Sequence, residues 1–126
     1  MNMNIPNGHQ QLMPYLILEN PRDFIRFAST VFGAVPDNEH VRDDGATIMH
    51  AEVKIGDCTI MFAQSTKQWT AQTANLFVYV ANADGSYTTA LENGAISLMA
   101  PADQSYGRAC GVKDPSGNTW WITSVQ

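Results

Sequence analysis

The chain is poor in the residues that bind metals and bridge loops, with two cysteines and three histidines among 126 residues. Cys58 and Cys110 are far apart and show no C-x-x-C spacing. In a reducing cytosol they read as free thiols serving as structural filler, with a metal or redox pair the lesser alternative. Cations are also short. Seven Lys and Arg stand against twelve Asp and Glu, a net charge of −5. Phosphate-backbone binding depends on clustered cations that release counterions, so nucleic acid and anionic membrane surfaces are excluded as partners. No apolar window approaches the roughly 20 residues of a spanning helix. The stretch from Met1 to Leu12 has neither the basic cluster nor the apolar run of a signal peptide. A cytoplasmic location is the expectation. No Ser-His-Asp order, Walker loop, GxGxxG or paired-carboxylate spacing is present.

What is there suits one compact domain: 44% of residues are hydrophobic, enough for a sizeable core. Leu12 to Leu18 reads as a strand. Asn20-Pro21 reads as a helix start, with Asn20 able to cap and Pro21 suited to the first turn. Phe24, Phe27, Ala28, Val31 and Phe32 follow at spacings of three and four, one apolar face, and Gly33 is a natural stop. Val35 to Arg42 reads as a polar edge strand and Asp43-Asp44-Gly45 as a turn. Thr47 to Ile55 alternates, with Met49, Ala51, Val53 and Ile55 on one side and Ile48, His50, Glu52 and Lys54 on the other. Gly56-Asp57 turns the chain into a strand from Cys58 to Ala63, and Gln64 to Ala74 is a polar linker.

The pattern then restarts. Asn75 to Val80 reads as a strand; Ala83, Tyr87, Ala90 and Leu91 carry helical spacing and Gly94 ends it. Ile96 to Ala100, Arg108 to Lys113 and Asn118 to Val125 read as strands, separated by turns at Tyr106-Gly107 and Asp114-Pro115-Ser116-Gly117. Gly33-Ala34 and Gly94-Ala95 lie 61 residues apart, as do Gly56 and Gly117. Recurrence at one offset predicts two βαβββ modules, about 12–64 and about 74–125, within a single α/β (α+β) domain. One helix covers one face of such a sheet. The bare faces are expected to line a cleft, the kind of place where small ligands bind.

These residues resemble the vicinal oxygen chelate superfamily, which includes glyoxalase I, extradiol dioxygenases and the fosfomycin- and bleomycin-resistance proteins. The chain looks most like its PhnB-like branch. The resemblance rests on Met13-Pro14-Tyr15-Leu16 with Phe32-Gly33-Ala34, Met49-His50-Ala51-Glu52 with Ile55-Gly56-Asp57, and Leu76-Phe77-Val78-Tyr79-Val80. It continues through Asn93-Gly94-Ala95, Tyr106-Gly107-Arg108 and Asp114-Pro115-Ser116-Gly117-Asn118-Thr119-Trp120, in family order. It implies tandem βαβββ modules forming an open, incomplete barrel around a cavity, and a homodimer with modules pairing within or between chains.

The superfamily's chemistry uses a divalent metal held by His, Gln or Glu near the first and last strands of each module. The matching positions here are Met13, Ile60 or Met61, Asn75 and Trp121, none of them an imidazole or carboxylate. Thioether, amide and indole do not supply the field that a divalent cation requires, so no metal is expected in the ancestral position and no cofactor is predicted, a divalent metal at another site staying open. His9, in an N-terminal tail, and His40 read as solvent-exposed.

His50 and Glu52, on one strand face, are the candidate proton-transfer pair or a register-fixing hydrogen bond. Arg108 is a candidate anchor for an anionic group, or the partner of a carboxylate. Tyr15, Asn75, Tyr106, Cys110 and Trp121 complete the candidate ligand-binding set, Trp121 as an aromatic wall and Cys110 as a cavity-facing thiol on the Arg108 face, for which inert packing is the favoured alternative. Tyr79 reads as a core residue. Two functions remain open: a binding protein that sequesters a small molecule in the bleomycin-resistance manner, or a vicinal-oxygen-chelate-type lyase, isomerase or transferase working through His50 and Glu52. A purely structural role would leave the cavity collapsed by side chains such as Trp121.

Overall fold

The computed structural model describes residues 3–126. In the first module β1 (Tyr15–Leu18) leads into α1 (Pro21–Phe32), followed by β2 (Val35–Val41), β3 (Ile48–Ile55) and β4 (Cys58–Gln64). The second repeats the order as β5 (Asn75–Tyr79), α2 (Ala83–Glu92), β6 (Ile96–Gln104), β7 (Gly107–Lys113) and β8 (Thr119–Ser124). Each module is a mixed four-stranded sheet, ordered β1-β4-β3-β2 (sheet A) and β5-β8-β7-β6 (sheet B). The first strand of each runs parallel to the last, and the other pairs are antiparallel. The fold is therefore α+β, with no closed barrel among the described residues.

Pro21 opens α1, and Gly33 closes it in the left-handed region at φ 68°, its N–H donating to the Ser29 carbonyl at 3.1 Å. The Asn20 side chain makes no capping bond, contrary to expectation. The Asn20 backbone carbonyl instead accepts from Asp23 N at 3.1 Å. In α2 the expected role is filled by Asn82, whose Oδ1 accepts from Gly85 N at 3.1 Å. Sheet A starts three residues later than the sequence suggested, because Pro14 has no N–H to contribute to a ladder.

Strand β3 departs from simple alternation. Val41 pairs with Ile48 and His40 with His50, so Met49 is a bulge residue. A bulge shifts the facing by one position. Ile48 is consequently buried in the core and Met49 is half exposed, while Ala51 and Val53 stay inside.

Leu16, Leu18, Phe24, Phe27, Val53 and Phe62 from the first module join Cys110, Val112, Trp120 and Ile122 from the second in one core cluster. The join runs through α1. Phe24 stacks on Trp120 with ring centroids 6.2 Å apart, and Phe32 meets the same indole at 4.5 Å. The two helices also touch each other. With the helix-covered faces of both sheets spent on one core, the opposite faces lie outside it. Tyr15 on sheet A is 51% exposed, and Phe77 and Tyr79 on sheet B are 53% and 70% exposed. Tyr79 is thus a surface residue rather than a core one.

Candidate functional site

A cavity of about 1050 Å³ lies where the free edge of β5 meets the C-terminal turn of α1 and the β3–β4 hairpin. Val31 and Phe32 of α1 form one wall, and Ile55, Cys58, Thr59 and Ile60 of the hairpin another. Leu76 to Ala81 and Trp120 supply the third, and Gln10 to Pro14 close one side. The lining holds no carboxylate, imidazole, lysine or arginine. It is an apolar container with a few hydrogen-bonding groups at Gln10, Thr59 and Ser86.

Gln10 to Pro14 belong to a strap that runs along sheet A without regular structure. The Gln10 side chain donates to the Thr59 carbonyl at 2.9 Å and accepts from Thr59 N at 3.2 Å, a side-chain imitation of strand pairing. The Thr59 hydroxyl donates to the Gly8 carbonyl. Met61 N donates to the Pro14 carbonyl at 3.0 Å, carrying the chain into β1.

On the far side of the strap sits Glu52, 4% exposed. His50 Nε2 lies 2.9 Å from Oε2, His9 Nε2 lies 3.0 Å from Oε1, and Asn38 Nδ2 donates to Oε1 at 3.1 Å. Burial pushes the Glu52 carboxyl up, but the hydrogen bonds from His50, His9 and Asn38 outweigh it and hold the group below the usual glutamate value. His9, read from the sequence as a solvated tail residue, is instead a partner of this carboxylate. Asn38 arrives through an irregularity of β2 between Asp37 and His40, at the unusual φ of 51°. His40 is exposed, as expected.

Tyr15 shares the open face of sheet A with His50, their ring centroids 6.0 Å apart. Asn75 and Trp121 meet on the open face of sheet B, where Trp121 Nε1 donates to Asn75 Oδ1 at 3.2 Å. Tyr106 stands 55% exposed at the β6–β7 turn. None of these candidates lines the large cavity.

Arg108 and Cys110 lie on the other side of sheet B, toward α2. The Arg108 guanidinium bonds Asp84 at 2.9 and 3.1 Å and Asp103 at 3.3 Å, which makes it the partner of two carboxylates. Asp84 and Asp103 raise its pKa, and Asp84 is lowered in return. Of the two readings of Cys110, the structure has the inertly packed thiol and not the cavity-facing one. It is fully buried, with Sγ 3.9 Å from the Ala83 carbonyl, on the side of β7 that packs toward α2, while Ala109 and Gly111, also buried, take the opposite side. Burial and the Asp84 charge push its thiol up to about 11.

The metal implied by the family resemblance does not fit the residues at its positions. Met13 Sδ accepts from Gln10 N at 3.4 Å, and the Asn75 carbonyl oxygen already accepts the Trp121 indole N–H. Among the described residues no group of three or more His, Cys, Asp or Glu side chains is arranged to hold a metal ion. Nor is any helix among them long and apolar enough to cross a membrane.

Comparison with protein-family models and with curated proteins finds no match. Solved structures do match. TioX from Micromonospora sp. ML1 superposes with a TM-score of 0.74 at 20% identity, over 91% of this chain and 98% of its own. The PhnB protein from Bacillus cereus gives 0.71 at 15% identity, over 92% and 100%. TnmS3, an antibiotic-binding protein from Streptomyces sp. CB03234, gives 0.70 at 14% identity, over 94% and 100%. The chain shares the fold of these structures, in agreement with the fold that its resemblance to the vicinal oxygen chelate superfamily implies.

Proposed function

We propose that the protein is a small-molecule binding protein that holds a flat or amphipathic apolar ligand in the cavity between β5, α1 and the β3–β4 hairpin, without the divalent metal of the superfamily. The observation that carries this reading is the cavity's lining. A volume of about 1050 Å³ accommodates a drug-sized molecule, and its walls offer hydrocarbon, aromatic rings and neutral hydrogen-bonding groups with no acid–base pair. TnmS3, of the same fold, is an antibiotic-binding protein, which supports the same direction.

The enzymatic alternative rests on His50 and Glu52. Their 2.9 Å approach suits proton transfer. However, Glu52 also serves His9 and Asn38, and its lowered pKa makes it a weak base near neutral pH. The pair also lies outside the cavity, across the strap. Binding without chemistry is the better reading.

The protein functions in the cytoplasm as a homodimer, without nucleic acid or membrane as partner. Support for the dimer comes from the apolar groups outside the core, including Tyr15, Met49, Phe77, Tyr79 and Ile96, each at least half exposed. The free edge of β5 adds to it, being unbulged and uncharged, unlike the irregular edges β2 and β6. Native mass spectrometry of freshly purified protein tests both points. A species at twice the 13.8 kDa chain mass carrying a small organic adduct is expected. A ligand-free monomer that takes up no apolar compound would contradict the reading.

A further inference from the structure

The strap separates the apolar cavity from a second, polar chamber of about 80 Å³ over Glu52. Asn7, Gly8 and His9 line the polar chamber, Gln10 and Leu12 line the apolar one, and Thr59 borders both. The partition is a single run of chain, crossed between residue 9 and residue 10. Asp37, Asn38, Glu52 and Lys54 form the rest of the polar wall.

Glu52 is unusual among buried carboxylates in its partners. No lysine or arginine bonds it; its charge is met by two imidazoles and an amide. One of those imidazoles, His9, sits on a segment with no helix or strand to hold it, and leaving would disturb no core side chain. A protonated amine brings a buried carboxylate a full opposite charge together with its N–H donors, and that attraction is strengthened where water is excluded. Asp37, which pairs with Glu52 across β2 and β3, adds a second negative charge; Lys54 is exposed and makes no ion pair with either. The chamber, at about 80 Å³, has room for an ammonium head group.

Resting on the cavity reading above, we infer that the two chambers are halves of one site, with the strap as a displaceable partition: an amphipathic amine places its apolar body against β5 and α1 and its ammonium on Glu52, in the place of the His9 imidazole. Glu52 thereby becomes the residue that selects cationic over neutral ligands, and His9 an internal competitor for the same carboxylate.

Isothermal titration of n-octylamine, protonated at neutral pH, against 1-octanol tests this with probes of equal length. The amine is expected to bind about tenfold more tightly to the wild-type protein. Glu52→Gln removes the difference by weakening the amine alone, and His9→Ala tightens the amine while leaving the alcohol unchanged. Equal affinities in the wild type, or a difference that survives Glu52→Gln, would overturn the inference and leave the apolar cavity standing. If neither probe binds, the cavity reading falls with it. Should Glu52→Gln fail to fold, His9→Ala decides: an unchanged ratio of amine to alcohol affinity overturns the partition.

Discussion

Trp121 on β8 lies flat against Gly111, its direct cross-strand partner on β7. A Cβ built on that glycine would meet the indole Cζ3 at 2.6 Å and Cε3 at 2.8 Å. The aromatic surface of sheet B therefore depends on a missing side chain one strand away. Gly111→Ala is expected to lower the unfolding free energy by about 1–3 kcal/mol, as overpacking does, with a change in tryptophan emission as the ring lifts. In a Trp121→Ala background the same substitution should cost almost nothing. Urea melts of the four proteins in that cycle read out the coupling.

Asp114 holds the last hairpin from inside, 4% exposed. It accepts from Trp120 Nε1 at 2.7 Å, Ser116 N at 2.8 Å and Asn118 N at 2.9 Å. Asp114→Ala leaves those donors unpaired and is expected to cost about 2–4 kcal/mol by chemical denaturation. Trp120 also lines the cavity and packs on Phe32, so ligand affinity should fall with stability.

The two thiols should separate cleanly. Cys58 is exposed at the start of β4, while Cys110 is buried with its pKa pushed up to about 11. Iodoacetamide at neutral pH is expected to add once to the native protein, at Cys58, and twice after denaturation. Peptide mass mapping reports the sites.

Acid should loosen the strap. The Glu52 carboxyl is held below its ordinary value near 4.5, so its stabilising effect is fully present above that pH and is lost as pH falls toward the lowered value. Unfolding free energy measured from pH 6 to pH 3 is expected to decline more steeply for the wild type than for Glu52→Gln. Parallel curves would contradict the burial and hydrogen bonding described for this group.

The fold was legible because its punctuation repeats. Gly33 and Gly94, Gly56 and Gly117 mark the same stops in both modules, and strand alternation placed Trp120 inside and Trp121 outside. What escaped were events that alternation does not encode. The bulge at Met49 exchanged Ile48 for Met49 in the core, and the irregularity at Asn38 aimed an amide at Glu52. His9, 43 residues from its partner, carried no local sign of a contact. The placement of the cavity was also unreadable. It depends on α1 packing across to the second module through Phe24, Phe32 and Trp120, which spends both helix-covered faces on one core and leaves β5 as a free edge. One hint was available. Leu76-Phe77-Val78-Tyr79-Val80 is apolar on both faces, which an ordinary half-solvated strand is not.

The central claim is that the cavity beside β5 takes an apolar small molecule. Fluorescence titration with N-phenyl-1-naphthylamine, a neutral flat probe, tests it most directly when wild type is compared with Val31→Trp, which fills the cavity from the end of α1. The account predicts saturable binding at one probe per chain in the wild type and at least tenfold weaker binding in the variant, with unfolding curves showing both proteins folded. Binding of equal strength to both, or none to the wild type, would contradict it.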